Sequence, residues 1–165
     1  MSSKQKNLSE HKTQKFPGAS GYRIAIAVSE YHEKITFALR DGCIDALKKY
    51  GVNEKNIFVS VIPGAFELPL AAKWLYEKKK ADAVICLGCV IKGETDHDKY
   101  INQAVAQGVM NLCLKTGAPF IFGLLTPNTL QQAKDRAGGK HGNKGVECAV
   151  AALQMLQLKD SLKKK

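Results

Sequence analysis

Four short apolar runs rich in β-branched residues, each followed by a longer stretch of helical period, constrain this chain more than any other feature. Arg23–Val28 precedes Ile35–Tyr50, Ile57–Val61 precedes Glu67–Lys79, Ala83–Leu87 precedes Asp98–Thr116, and Phe120–Leu124 precedes two further helices. Parallel strands need a crossover of a dozen or more residues, usually a helix, and the alternation supplies one after every strand. It predicts an α/β fold, a four-stranded parallel sheet between two helical layers in a three-layer αβα sandwich. Ile101, Ala104, Val105, Gly108, Val109 and Leu112 follow the spacing of one buried helix face. Gly51 and Gly117 stand where left-handed helix ends belong, and Asn128 and Asn143 are expected as N-caps. A small open sheet leaves edges uncovered, which points to an oligomer.

The chain has 165 residues, which suits one domain with a single core. The polar residues 1–20, broken by Phe16-Pro17-Gly18, read as a flexible basic arm, 21–158 as the domain, and 159–165 as a Lys-rich tail. With 45% apolar and 24% charged residues, global disorder is excluded. The longest apolar runs, Ile24–Val28, Ala83–Leu87 and Phe120–Leu125, fall far short of the ~20 residues that cross a bilayer. No apolar core of a secretory signal follows the first lysines, so the expected compartment is the cytoplasm and no membrane partner is expected. The net charge of +10 sits mostly in the tails, each contributing +3, and residues 21–158 carry only +4. That distribution describes solvated termini, and no nucleic-acid partner is expected. Cys43, Cys86, Cys89, Cys113 and Cys148 form no regular framework. The pair Cys86–Cys89 spells C-x-x-C, but side chains three apart on a strand point to opposite faces, so these read as reduced packing cysteines and no metal site is expected.

In an open parallel sheet ligands bind beyond the carboxyl ends of the strands, where strand order reverses. The unusual residues collect there: Ser29-Glu30-Tyr31-His32, Pro63-Gly64-Ala65-Phe66-Glu67, the run Gly88–His97, and Gly123-Leu124-Leu125-Thr126. Tyr31 and Phe66 offer flat faces for a planar heterocycle, although Phe66 could equally fill core beside Pro63 and Pro69. Glu67 suits either a helix N-terminal dipole or the hydroxyls of a sugar alcohol. Gly93-Glu94-Thr95 precedes a helix whose free N–H groups could hold an anion, while Thr95 or Asp96 would also serve as a plain cap. His97 follows in the first turn, with the side chain best suited to moving protons near neutrality. The Gly-rich segment 135–145 carries Arg136, Lys140 and Lys144, a phosphate clamp or a solvated linker, and has neither a Walker loop nor a dinucleotide fingerprint.

Three motifs in this order resemble the 6,7-dimethyl-8-ribityllumazine synthase family: Pro-Gly-Ala-Phe-Glu-Leu-Pro (63–69), Gly-x-Val-Ile-Lys-Gly-Glu-Thr-x-His (88–97) and Arg-Ala-Gly-Gly-Lys-x-Gly-Asn-Lys-Gly (136–145). The resemblance covers residues 21–158 and implies a flavodoxin-like sheet of order 2-1-3-4. It implies condensation of 5-amino-6-(D-ribitylamino)uracil with 3,4-dihydroxy-2-butanone 4-phosphate, the penultimate step of riboflavin biosynthesis, without cofactor or metal. By position, Tyr31 would stack on the pyrimidine, Ala65, Phe66 and Glu67 would line the ring and ribityl pocket, and Cys89, Val90 and Ile91 would meet the heterocycle through backbone atoms. Glu94, Thr95 and Arg136 would hold the butanone phosphate, His97 would transfer protons, and Phe122 would reach a neighbouring subunit's site. His32, Lys140 and Lys144 are additional candidates. The implied assembly is a pentamer, twelve of which close an icosahedral shell, with riboflavin synthase as a candidate partner. Two positions depart from the commoner pattern: Tyr31 stands where Phe or Trp is typical, and Asp98 replaces an aromatic after the histidine. The competing readings are a non-catalytic flavin or phosphosugar binding module and a structural or nucleic-acid-binding particle.

Overall fold

The computed structural model describes residues 7, 9, 10 and 14–163. Four parallel strands, β1 (Ile24–Ser29), β2 (Ile57–Ile62), β3 (Ala83–Cys89) and β4 (Phe120–Leu125), form a sheet of order β2-β1-β3-β4, as expected. Helices α1 (Glu33–Lys49) and α5 (Lys144–Lys163) cover one face, and α2 (Leu68–Lys79) and α3 (His97–Thr116) the other. A short α4 (Leu130–Arg136) and a hairpin of β5 (Ala137–Gly139) and β6 (Gly142–Asn143) lie between β4 and α5.

The two cores follow from the twofold period of the strands. Ile24, Ile26 and Val28 of β1 pack with Leu39 and Leu47 of α1 and with Ala149 and Leu153 of α5. The alternate residues Ala25 and Ala27 are small, and they pack with Leu68 and Ala72 of α2 and Val105 and Val109 of α3. Both β1 and β3 are buried along their whole lengths, as strands covered on both faces must be. Cys86 joins the α2/α3 side and Cys89 the α1/α5 side, so the C-x-x-C pair is split across the sheet.

Close approaches fix the helices. Asn143 caps α5 by accepting from Gly145 N–H (2.8 Å), and its Nδ2 donates to the Ala38 carbonyl (2.9 Å) on α1. A Cβ on Gly145 would run into the Leu39 carbonyl, and one on Gly42 would lie 2.6 Å from Asn143 Nδ2. On the other face Gly108 of α3 sits against Pro69, in the first turn of α2 where proline forfeits no helical bond. Ala104, expected on the buried face of α3, is exposed. Gly117 ends α3 at φ 64°, and Gly51 follows α1 at φ 96°. Asn128 does not cap α4: Thr129 does, its hydroxyl accepting from Gln132 N–H (3.2 Å), while the Asn128 N–H donates to Gln132 Oε1 (2.8 Å).

Residues on either side of 21–158 also make packing contacts. Ala19 is buried, Phe16 lies edge-on to Tyr50 at 5.3 Å, and Gln157 Nε2 donates to the Pro17 carbonyl (2.8 Å). Tyr22 O–H donates to Asp160 (2.7 Å), tying β1's approach to α5, which continues to Lys163. Of the expected arm and tail, residues 1–6, 8, 11–13 and 164–165 lie outside the described residues.

Gly145→Ala is expected to destabilise the fold by about 2 kcal/mol or more, because backbone on α1 must move to admit the methyl. A lowered urea midpoint would show it. Gly21→Ala, whose Cβ meets nothing within 4 Å, should leave the midpoint in place.

Candidate active site

The chain leaves β1 for β2 on one side and later crosses to β3 on the other, so order reverses between β1 and β3. A cleft of about 840 Å³ opens beyond their carboxyl ends. Its wall is built by the loops that follow successive strands. Past β1, the Glu30 N–H donates to the Ile62 carbonyl (2.7 Å) and the Tyr31 N–H to the Pro63 carbonyl (3.3 Å), so the ladder holds the first loop to the second. His32 then takes a left-handed conformation (φ 60°, ψ 45°), unusual for a residue with a side chain, and starts α1. The turn sets the Tyr31 ring 69% exposed, with the His32 ring edge-on at 4.7 Å.

After β2, Ala65–Glu67 form a single 3₁₀ turn leading into α2. Phe66 is 60% exposed there, so it does not fill core. Glu67 curls back over Gly64, where a Cβ would lie 3.0 Å from Glu67 Oε2. After β3, Val90 N–H donates to the Leu125 carbonyl (2.9 Å) and Lys92 N–H to the Pro127 carbonyl (3.0 Å). The N–H of Ile91 alternates to the side on which β1 has already ended, and it donates to no backbone carbonyl among the described residues. This unpaired main-chain N–H belongs to a residue that lines the same cleft as the two aromatic rings, where it could read the rim of a planar ligand.

His97 begins α3 and is exposed at the mouth of the cleft. Its N–H donates to the Thr95 hydroxyl (3.4 Å), and Asp96 pairs with Lys99 (2.8 Å). The cleft thus gathers Tyr31, His32, Ala65, Phe66, Glu67, Cys89, Val90, Ile91, Thr95 and His97. Glu94 lies between the lining residues Gly93 and Thr95 but is itself turned to solvent. Asp98, singled out in the sequence only as a departure from the family pattern, Ile101, expected only on the buried face of α3, and Leu130, which the sequence did not point to, also line the cleft. Asp98 and Ile101 share a helix face with His97 by spacing, whereas Leu130 arrives only through the path of the chain after β4.

Four expected residues lie elsewhere. Arg136 ends α4 and lines a separate hollow of about 330 Å³ with Thr126, Gln132 and Lys144. Its guanidinium pairs with both oxygens of Glu147 (2.8 and 3.1 Å) and donates to the His141 carbonyl (3.2 Å), and Lys144 reaches the same carboxylate (3.2 Å). Phe122 is 38% exposed on the edge strand β4, and Lys140 is exposed at the hairpin tip. Among the described residues no three His, Cys, Asp or Glu side chains are grouped to hold a metal ion.

A family model described as 6,7-dimethyl-8-ribityllumazine synthase matches residues 21–160. Curated relatives of that name include one from Phocaeicola vulgatus, 45% identical over 96% of this chain and 94% of the relative. Those from Parabacteroides distasonis (48%) and Cytophaga hutchinsonii (50%) each match 94% of this chain and 98% of the relative.

Burial pushes the Cys89 thiol, at the back of the cleft, up to about 12 from an ordinary 9.0. Cys148 is likewise pushed to about 12 by burial, and Cys43 and Cys86 are raised by burial as well. None of these four presents a thiolate nucleophile at neutral pH. At pH 8 a disulfide reagent is expected to label at most Cys113 in the native protein and all five thiols in urea. Because the folded state holds these protons more tightly than the unfolded chain, the associated stability is complete below pH 9 and is lost as pH rises toward 12. Tyr22, raised to about 12 by burial and then by Asp160, acts in the same direction above its ordinary 10.0. Urea midpoints measured from pH 8 to pH 11 should fall.

Proposed function

The chain belongs to the 6,7-dimethyl-8-ribityllumazine synthase family, and from that membership we infer that it joins 5-amino-6-(D-ribitylamino)uracil to 3,4-dihydroxy-2-butanone 4-phosphate. It is an enzyme of riboflavin biosynthesis, and the non-catalytic binding-module reading is not favoured. The observation that carries the site assignment is the cleft at the strand-order reversal, lined by two exposed aromatic residues, by Ile91 with its unpaired main-chain N–H, and by His97.

The primary amine attacks the ketone carbon, and loss of water leaves an imine. A carbon-bound proton is removed and the C–O bond to phosphate breaks, releasing inorganic phosphate. The enol left by that elimination takes up a proton at its terminal carbon and loses its hydroxyl proton to become a ketone, and the ribityl-bearing nitrogen closes on this new carbonyl and expels a second water. Every step moves protons or an oxyanion and none moves electrons to an acceptor. In this reading Tyr31 and Phe66 hold the pyrimidine, backbone atoms of Cys89–Ile91 read its edge, and Glu67 accepts from the ribityl hydroxyls. His97 carries protons, and the start of α3 around Glu94 and Thr95 receives the phosphate together with Arg136. Holding two substrates in register supplies much of the acceleration, up to ~7–11 kcal/mol for ideal orientation.

Arg136 and Phe122 are outside the cleft of their own chain. We therefore assign them to the cleft of an adjacent copy, in a pentamer and, with twelve pentamers, an icosahedral shell. The exposed edge strands support an assembly: Val59 and Val61 of β2 and Phe122 of β4 are apolar and uncovered. The proposal extends to a cytoplasmic location, supported by five free cysteines, and to riboflavin synthase as consumer of the product.

Purified protein mixed with both substrates is expected to form the fluorescent lumazine and release phosphate. Arg136→Ala should raise KM for the butanone phosphate about 10- to 100-fold, the value of hydrogen bonds to a charged group. His97→Ala should lower kcat about 10- to 100-fold, modest because orientation survives. Unfolding the two impaired variants together and refolding them as mixed oligomers should raise activity above that of either variant alone, since about a quarter of interface sites then receive both native side chains. No recovery would remove the shared-site assignment.

A further inference from the structure

Asp98 has no role in the resemblance, because it stands where the family carries an aromatic, yet it lines the cleft between His97 and Ile101. Its Oδ1 is shielded from solvent and accepts no hydrogen bond. Buried polar atoms in native proteins almost always have partners, so an orphaned carboxylate oxygen in a cleft marks a place where a ligand supplies the donor. The neighbours do not supply one. Lys99 is engaged by Asp96 (2.8 Å), and Asn102, one turn further along α3, also presents a buried Oδ1 without a partner.

Charge decides which substrate this is. A carboxylate repels the phosphate-bearing substrate and attracts N–H and O–H donors, which the neutral ribitylaminouracil carries in quantity. The 3₁₀ turn bearing Glu67 packs on α3, so the cleft offers Glu67 and Asp98 as acceptors along this side. Two acceptors along one wall suit a chain of adjacent hydroxyls. Resting on the lumazine-forming reading, we propose that Asp98 accepts a hydrogen bond from the ribityl chain and sets specificity for the polyol. A site built to bond a hydroxyl discriminates strongly against an analogue lacking it.

The test compares wild type with Asp98→Leu, close in size and without an acceptor. KM for ribitylaminouracil is expected to rise at least about tenfold, with kcat and KM for the butanone phosphate within about twofold, the signature of a lost ground-state contact. Calorimetric binding of an analogue with methyl in place of ribityl should be equal for the two proteins. Asn102→Leu should leave both KM values in place. An unchanged KM in Asp98→Leu, an equal loss of affinity for the methyl analogue, or the same KM rise in Asn102→Leu overturns the proposal, the last showing that a turned Asn102 amide is the partner. If Asp98→Leu does not fold, Asp98→Asn replaces it, with a smaller rise in KM expected and no rise overturning the proposal. A wild type that forms no lumazine would refute the family reading instead, and direct binding of ribitylaminouracil to wild type and variant would still decide the role of Asp98.

Discussion

The pairing of β1 with a parallel strand on each side is the constraint on which the rest of the molecule depends. With both faces covered and both edges bonded, β1 can vary only at its ends. The loops leaving β1 and β3 must diverge to reach helices on opposite faces, and the gap between them is the cleft. The ladder continues past Ser29 through Glu30 and Tyr31 toward β2, and past Cys89 through Val90 and Lys92 toward β4, so backbone bonds hold both walls while the Ile91 N–H on the inner side of the third loop is left unpaired. The same backbone bonding that builds the sheet thus leaves main-chain groups free where a flat ligand can use them.

Close packing of α1 against α5 plays the corresponding part on the far side of the sheet. Gly42, Asn143 and Gly145 bring the two helices together, and Asn143 serves at once as cap and as strut to the Ala38 carbonyl. This anchors the hairpin before α5 and, through Glu147, holds the Arg136 guanidinium by two nitrogens. The cationic cluster is therefore a fixed feature beyond β4 rather than a loose loop. Its separation from the ring cleft within one chain gives a physical reason for the active site proposed between copies: the cations assigned there to phosphate lie outside their own chain's cleft.

Much of this was legible in the residues themselves. Strand and helix types followed from the switch between twofold and helical periods, and Gly117 and Asn143 acted at the helix ends where their chemistry suits them. Asn128 lost its expected role because the neighbouring Thr129 offers the oxygen at the position where α4 begins, a difference of one residue that propensity does not resolve. Phe66 was ambiguous between core and ligand because apolarity is the same in both; only the 3₁₀ turn after β2 turns it outward. Asp98 and Ile101 were visible in the sequence as a departure after His97 and as a helix-face residue, and helical spacing could have placed both in the site, whereas Leu130 had no local signal.

By itself the sequence determined the order and kind of elements, the placement of unusual residues at strand ends and the family whose motifs they spell, because these depend on local chemistry and short spacings. Only the tertiary structure decided which of those residues meet. Tyr31, Phe66, Ile91 and His97 share a cleft since their loops leave neighbouring strands around one reversal of order, while Arg136 and Phe122 are carried beyond or along the outer strand β4. Contacts across a sheet are set by strand order and register, and neither is encoded at the level of any one segment.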